Sequence, residues 1–462
     1  MSPLTLFLTA IWTIEIVTTE RFSYPPMIAL DSNTNPYILI SKFRWNSRYY
    51  LLLYTKTNGN WIVDTFETNC SEPIYPPDLT IDARNRIWCI YPIIDVNNYV
   101  HLIVAHKDST DWVKDTVESS PQLDFYTYSI TCDSLDNPHI IYDLESARYA
   151  YYATFTGSGW RKEIFDSVPL FANYSGMSIT FYRECHISFA FYFPNGRGEL
   201  WYARRINGTW VKERLDTLFA EFLSSISSIA VSPEGFPRVA YWHDHPLGEN
   251  PIVKYTYHNG TYWQIETVDT MSFIRSQRAL VTDSSGMPYL VYDKKDYNDR
   301  KDRIAMRDSF GWHMEILPFT PLTDCSWGGS LRIARNGLIH IVRYATAFND
   351  TAIHEVHYLY GRPEGIKECK KSKLNGSRLG LMALPSVVRE NAQIQYAIPE
   401  RQLIRLDLYD IIGRKVKTIA QGCVEPGIYS YRFDSSDLSS GVYFLVLESE
   451  RESRTRKLLI AR

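Results

Sequence analysis

Asp133-Ser134-Leu135-Asp136-Asn137-Pro138-His139-Ile140-Ile141-Tyr142, followed by Gly159-Trp160, holds the pattern that sets the fold. It reads as the end of one strand, a tight polar turn, a second strand, a loop and third strand, then a hairpin into an outer strand that opens with tryptophan. The same grammar returns at Asp31, Asp82, Asp133, Tyr182, Ser232, Asp283 and Ala334, in steps of 51, 51, 49, 50, 51 and 51 residues. A period this regular implies a repeat architecture, one sheet per unit.

Repeat position also tells what most polar residues do. The turns carry Asp31-Ser32-Asn33-Thr34-Asn35-Pro36, Asp82-Ala83-Arg84-Asn85 and Asp283-Ser284-Ser285-Gly286. Asp, Asn and Gly close such turns through local hydrogen bonds and left-handed backbone, so these aspartates are read as structural. His139, His186 and His340 open the second strand, where other units place Tyr37, Trp88, Arg238 and Tyr289. A position that accepts all four residue types is a packing slot.

Tryptophan heads the outer strands at Trp61, Trp112, Trp160, Trp210, Trp263 and Trp312, and also at Trp12, ahead of any complete unit. The last unit, from Leu331, has three strands and then runs into Gly361-Arg362-Pro363-Glu364-Gly365 with no tryptophan strand. Residues 11–19 supply what it lacks. The expectation is an all-β protein: a seven-bladed β-propeller over residues 1–360, its seventh blade closed by the N-terminal strand, which removes exposed edges between first and last blades. A linker over 361–379 and a small antiparallel β-sandwich over 380–462 follow.

Composition agrees with this reading. Of 462 residues, 45% are apolar and 14% aromatic, with 33 Tyr and 12 Trp; aromatic side chains pack well on pleated sheets. The net charge of −3 gives no basic excess, and no nucleic-acid-binding motif occurs. Seven scattered cysteines with no C-x-x-C pair argue against a zinc site or a disulfide framework. No apolar run approaches the roughly 20 residues of a membrane-spanning helix. Residues 1–10 are apolar without a basic start; they read either as the tail of a secretory signal that begins upstream or as a strand-forming N-terminus.

The C-terminal 80 residues carry a family pattern. Leu406-Asp407-Leu408-Tyr409-Asp410-Ile411-Ile412-Gly413-Arg414-Lys415-Val416 resembles the core of the type IX secretion C-terminal sorting domain, type A. Gly427-Ile428-Tyr429, the Gly441-Val442-Tyr443-Phe444 strand and Arg456-Lys457-Leu458-Leu459-Ile460 resemble its later strands. Leu384-Pro385-Ser386-Val387-Val388 stands where the family usually has Pro-Asn-Pro. A sandwich of flagellar hook-capping proteins shares the Gly-Arg-Lys turn and is the fold-level alternative. The resemblance implies export to the outside or to the outer cell surface, with the type IX machinery as partner and Tyr409, Asp410, Gly413, Arg414, Gly427, Gly441, Tyr443 and Lys457 as motif residues. The upstream repeats resemble secreted bacterial propellers of the sialidase-like (BNR-type) group, a likeness with little functional content.

Function is expected where the repeats disagree. Ligands of such a propeller would meet the loops at one mouth of its channel. Tyr24, Tyr75, Tyr126 and Trp327 lie seven residues before repeat anchors, with Tyr174 one position out of line; Arg275 and Arg278 precede an inner strand. These are the candidate ligand-binding residues, with Trp45, His243 and His245 as loop candidates. His243-Asp244-His245 lacks a third ligand and is read as surface loop, so no metal and no cofactor is expected. The charged run from Lys294 to Asp302 is read as solvated, and no acid pair stands out. The expected function is a secreted, monomeric, non-catalytic module that binds glycan or protein. The alternatives are a sialidase-like glycoside hydrolase or polysaccharide lyase on the propeller, or a structural surface protein.

Overall fold

The computed structural model describes residues 12–20, 24–44, 48–70, 77–107, 111–122, 125, 127–167, 173–219, 227–244, 251–296, 299–308, 311–347, 350–363, 379–384, 387–388, 391–435, 438–449 and 452–460. The protein is all-β. Its described residues contain one 3-10 turn, Glu145–Ala147, and no helix long and apolar enough to cross a membrane. The chain divides into two compact units, residues 1–366 and 367–462.

The N-terminal unit holds seven antiparallel sheets among the described residues. Numbered along the chain, sheet one comprises Met27–Leu30, Pro36–Arg44, Arg48–Thr57 and Asn60–Cys70. Sheets two to five repeat this order and begin at Asp78–Ile81, Tyr128–Cys132, Asn173–Tyr182 and Ser227–Val231. Sheet six is irregular. Its first strand is broken into Ser272–Phe273 and Leu280–Thr282, both paired with Pro288–Asp296, before Asp299–Asp308 and Gly311–Ile316. Sheet seven takes Cys325–Ile333, Ile339–Ala347 and Asp350–Gly361, and its fourth strand is Thr13–Thr18 from the other end of the unit.

No sheet closes on itself. The first strands of successive sheets touch in chain order from sheet one to sheet seven, and that of sheet seven touches that of sheet one. Burial grades outward from them. Ile38, Cys89, Ile140, Ile187, Val239, Leu290 and Ile341 share one repeat position on the second strands and are fully buried. Each larger side chain of this set contributes about 1.5–3 kcal/mol by leaving water. The fourth strands bury few hydrophobic residues, such as Phe66, Val117 and Phe165, and their other side chains are mostly half-buried or exposed.

The tryptophan rule has a physical cause. Four of the outer-strand tryptophans donate to an acid placed three residues after the tryptophan of the preceding sheet, whereas the indole N–H groups of Trp61 and Trp160 are buried without a hydrogen-bond partner among the described residues. Trp112 donates to Asp64, Trp210 to Glu163, Trp263 to Glu213 and Trp312 to Glu266, at 2.8–3.1 Å. A cation at the end of the third strand reaches the same acid, as Lys107 does with Asp64 and Arg307 with Glu266. The N-terminal strand is tied in on both sides, by the tryptophan contact on one and the cation contact on the other: Trp12 donates to Glu315 of sheet six at 2.7 Å, and Glu15 accepts from Lys56 of sheet one at 2.6 Å.

The turn aspartates and slot histidines have the structural roles expected of them. Asp31, Asp82, Asp133 and Asp283 each accept the backbone N–H groups two and four residues on. His139, His186 and His340 hydrogen-bond Tyr152, Tyr202 and Tyr358 within their own sheets. Cys89, Cys132, Cys185, Cys325 and Cys423 form no disulfide.

The C-terminal unit has a three-stranded and a five-stranded sheet around Ile394, Leu406, Leu408, Phe433, Leu445 and Leu458. It departs from the purely antiparallel expectation in one pairing, Val387–Val388 parallel to Leu459–Ile460.

Candidate functional site

The axis of the N-terminal unit is the first place to look for chemistry, and its groups are engaged internally. The segment that interrupts sheet six crosses to the opposite sheets. Arg278 Nε and Nη2 donate to Asp78 Oδ1 and Oδ2 of sheet two at 3.0 and 2.7 Å. Arg278 also donates to the carbonyls of Ile130 and Ile179 in sheets three and four. The Gln277 carbonyl accepts Ser178 and Ser228 of sheets four and five at 3.1 and 2.8 Å. Asp78 is fully buried and further accepts Ser129 Oγ and the Ile130 N–H. Burial alone would raise its carboxyl, but the charge and hydrogen bonds of Arg278 outweigh this and hold it below the usual range. Arg278 is therefore a cross-tie between sheets, not the free mouth residue expected from sequence.

Tyr174 is likewise drawn inward: it is buried and donates to Asp166 Oδ2 at 3.1 Å. Tyr24 is half-buried against the core of sheets one and two. Trp327 sits in the first strand of sheet seven, opposite Tyr344. His243, expected on a surface loop, is 2% exposed at the end of a second strand, and its Nδ1 lies 2.6 Å from the Asp244 carbonyl. Burial lowers its pKa. Tyr75, Tyr126, Trp45 and His245 lie outside the described residues. Among the described residues no three His, Cys, Asp or Glu side chains are grouped to hold a metal.

A different cluster emerges where sheets six and seven meet, near the turn joining the second and third strands. Asp293 and Asp302 are directly opposite in register, and both are fully buried with no hydrogen-bond partner on either carboxyl oxygen. Arg275 Nε lies 3.4 Å from Asp293 Oδ1 and Arg300 Nη1 4.0 Å from Oδ2. Both arginines sit over the Phe273 ring, at 4.8 and 5.6 Å, and about a third of each side chain is exposed. Behind them Arg343 is fully buried over Phe319 at 4.3 Å. Its Nη2 donates to the Pro318 carbonyl and approaches His357 Nδ1, while His357 Nε2 donates to Glu355 at 2.6 Å.

The electrostatics follow from burial. Asp302 is pushed up to about 7 by desolvation and by the charge of Asp293, against the opposing pull of Arg343. Desolvation also raises Asp293, with Arg275 and Arg300 opposing. Arg300 is lowered by burial and by repulsion from Arg275. Arg343 falls to about 10 by burial, against the pull of Asp302, and the His357 imidazole drops to about 4, first by burial and then by Arg343. The carboxyls and Arg343 are inside, while Arg275 and Arg300 are partly exposed, so the exposed charge of the cluster is positive.

Sequence reasoning made Arg275 a channel-mouth candidate, took Lys294 to Asp302 as solvated and saw no acid pair; the last two readings are corrected, because Asp293 and Asp302 are paired in register and buried. A usable signal was present at Arg343. It occupies the slot where Tyr91, Tyr142, Tyr241 and Tyr292 each hydrogen-bond an acid of the preceding sheet.

In the C-terminal unit the motif residues build turns. Asp410 accepts the N–H groups of Ile412 and Arg414 and the Arg414 Nε at 2.8 Å, which closes the hairpin. Gly413 holds φ +79°, strained for an L side chain. Tyr409 donates to Asp407 and Tyr443 to the Ser439 carbonyl. Gly427 and Gly441 begin strands beside the Tyr429 and Tyr443 rings, and Lys457 is exposed on the last strand.

Residues 385–461 match the family described as the secretion system C-terminal sorting domain. The C-terminal unit is thus a type IX sorting domain, and the protein is secreted or held at the outer cell surface. No curated protein matches the chain. Solved structures similar to it include the polysaccharide lyase Uly1, with a TM-score of 0.48 and 10% identity over 74% of this chain and 91% of that one. A GH93 alpha-L-arabinofuranosidase of Fusarium graminearum, in complex with arabinobiose, has a TM-score of 0.46 and 10% identity over 77% and 98%. The SapL1 lectin, in complex with alpha methyl fucoside, has 0.41 and 11% over 65% and 98%. Likeness at this level carries no inference about activity.

Proposed function

We propose that the N-terminal unit is a seven-bladed propeller, closed by Thr13–Thr18, and that it is a non-catalytic ligand-binding module which the sorting domain delivers outside the cell. The cyclic contacts of the first strands and the Trp12–Glu315 and Glu15–Lys56 bonds support the architecture. The binding reading rests on one observation. The acid pair Asp293 and Asp302 is buried, whereas two cations, Arg275 and Arg300, are partly exposed and share the Asp293 carboxylate.

A second reading has its own observation. Two carboxyls in register, one pushed up to about 7, are the kind of pair that divides acid and base roles in hydrolases. Both have no exposed surface, however, and a general acid must reach the group it protonates. Incubating the full-length protein with a panel of neutral and acidic polysaccharides, and following reducing ends and unsaturated products, separates the two. The module reading expects retention on a glycan without product. Turnover that disappears in Asp293→Asn would overturn it.

A further inference from the structure

We propose that the hairpin of sheet six binds acidic polysaccharide, seating carboxylate or sulfate groups on Arg275, Lys295 and Arg300. This rests on the binding-module reading and names the ligand class of that module.

The observation is the charge register of the hairpin. Four successive cross-strand pairs are like-charged: Asp293 opposite Asp302, Lys294 opposite Lys301, Lys295 opposite Arg300, and Asp296 opposite Asp299 at the tip. Like charges directly opposite destabilise a sheet, so folding alone gives no reason for four in a row. Strand alternation then sorts them. Lys294 reaches Asp269 of sheet five at 2.6 Å, with Arg303 near the same acid at 3.9 Å. Lys295 and Arg300 belong to the face that carries Asp293, and Arg275 stands beside that face on the segment following Phe273.

The signs are separated by depth. The acids of this face have no exposed surface, while Arg275 and Arg300 are 33% and 35% exposed and Lys295 is exposed. One carboxylate lies under two guanidiniums, which leaves an outward positive charge. The Phe273 ring supports both cations at 4.8 and 5.6 Å without consuming an N–H donor. Paired guanidinium donors match the planar oxygens of carboxylate and sulfate better than any neutral sugar group. Cations strung along one hairpin suit charges repeated along a chain. Export places that hairpin outside the cell.

The test uses the full-length protein on surfaces bearing polygalacturonate, dextran sulfate, neutral dextran or poly-glutamate. Saturable binding is expected to polygalacturonate or dextran sulfate, and the comparison of the two identifies the oxyanion. Binding should vanish in about 1 M salt, where charges are screened within about 3 Å. Arg275→Gln/Arg300→Gln should weaken it by roughly tenfold or more. Lys295→Gln, at an exposed position, should weaken it a few-fold with the melting curve unchanged, and Arg161→Gln on an outer strand should leave it intact. Binding indifferent to these variants, or absent from both polyanionic glycans, overturns the inference. Retention on poly-glutamate alone assigns the patch to acidic protein and overturns it. Retention on neutral dextran alone overturns the ligand class but leaves the binding module standing, whereas product release would overturn the module itself.

Discussion

Arg278 shows what a single residue does in this chain. Its guanidinium neutralises a carboxylate with no access to water, Asp78, 200 residues away in sequence. Arg278→Ala leaves that charge buried and uncompensated, which should destabilise the N-terminal unit by about 3–5 kcal/mol in urea unfolding. The paired change Asp78→Asn/Arg278→Gln should lose clearly less; equal losses would show that the pair is not coupled. Asp302 offers the complementary case. An unfolded aspartate titrates near ~3.9, but Asp302 in the folded chain near about 7. The folded state therefore holds a proton that the unfolded chain lacks between those values. The stabilising contribution is full below about pH 4, falls as pH rises, and is lost above about pH 7. Asp302→Asn should match the parent near pH 4 and exceed it by roughly 2–4 kcal/mol at pH 8. A difference that does not change with pH would contradict the assignment. Little of this was legible beforehand. A buried arginine and a surface arginine look alike in sequence, and only the register tells that Asp293 faces Asp302.

The strand is the scale at which sequence reading succeeded. A turn aspartate, a strand of buried aliphatics and a tryptophan recur because every sheet solves the same packing problem. The orphan Trp12 announced a strand that pairs with Asp350–Gly361. Trp12 is also tied to sheet six and Glu15 to sheet one, so removal of residues 1–19 should lower the melting temperature of the N-terminal unit sharply. Trp12→Phe, which removes the indole donor and part of the ring at a half-buried site, should destabilise by about 1 kcal/mol or somewhat more. An unchanged melting curve for the truncated chain would show that Thr13–Thr18 does not join the sheets. The broken first strand of sheet six was not legible. Its anchor at Asp283 is regular, and the residues that cross the axis, Gln277 and Arg278, carry no local signal of a partner in another sheet.

For the molecule as a whole, the repeat period and the sorting motif mark where the parts lie and what exports them, while the ligand depends on where repeats fail. Arg343 in a tyrosine slot and a like-charged hairpin are two such failures, and they meet at the same end of sheets six and seven. Hydrogen exchange on the full-length protein with and without polygalacturonate tests that convergence most directly. Slowed exchange confined to residues 273–276 and 293–302 is the predicted result. Protection elsewhere on the N-terminal unit, with this hairpin unchanged, would contradict it.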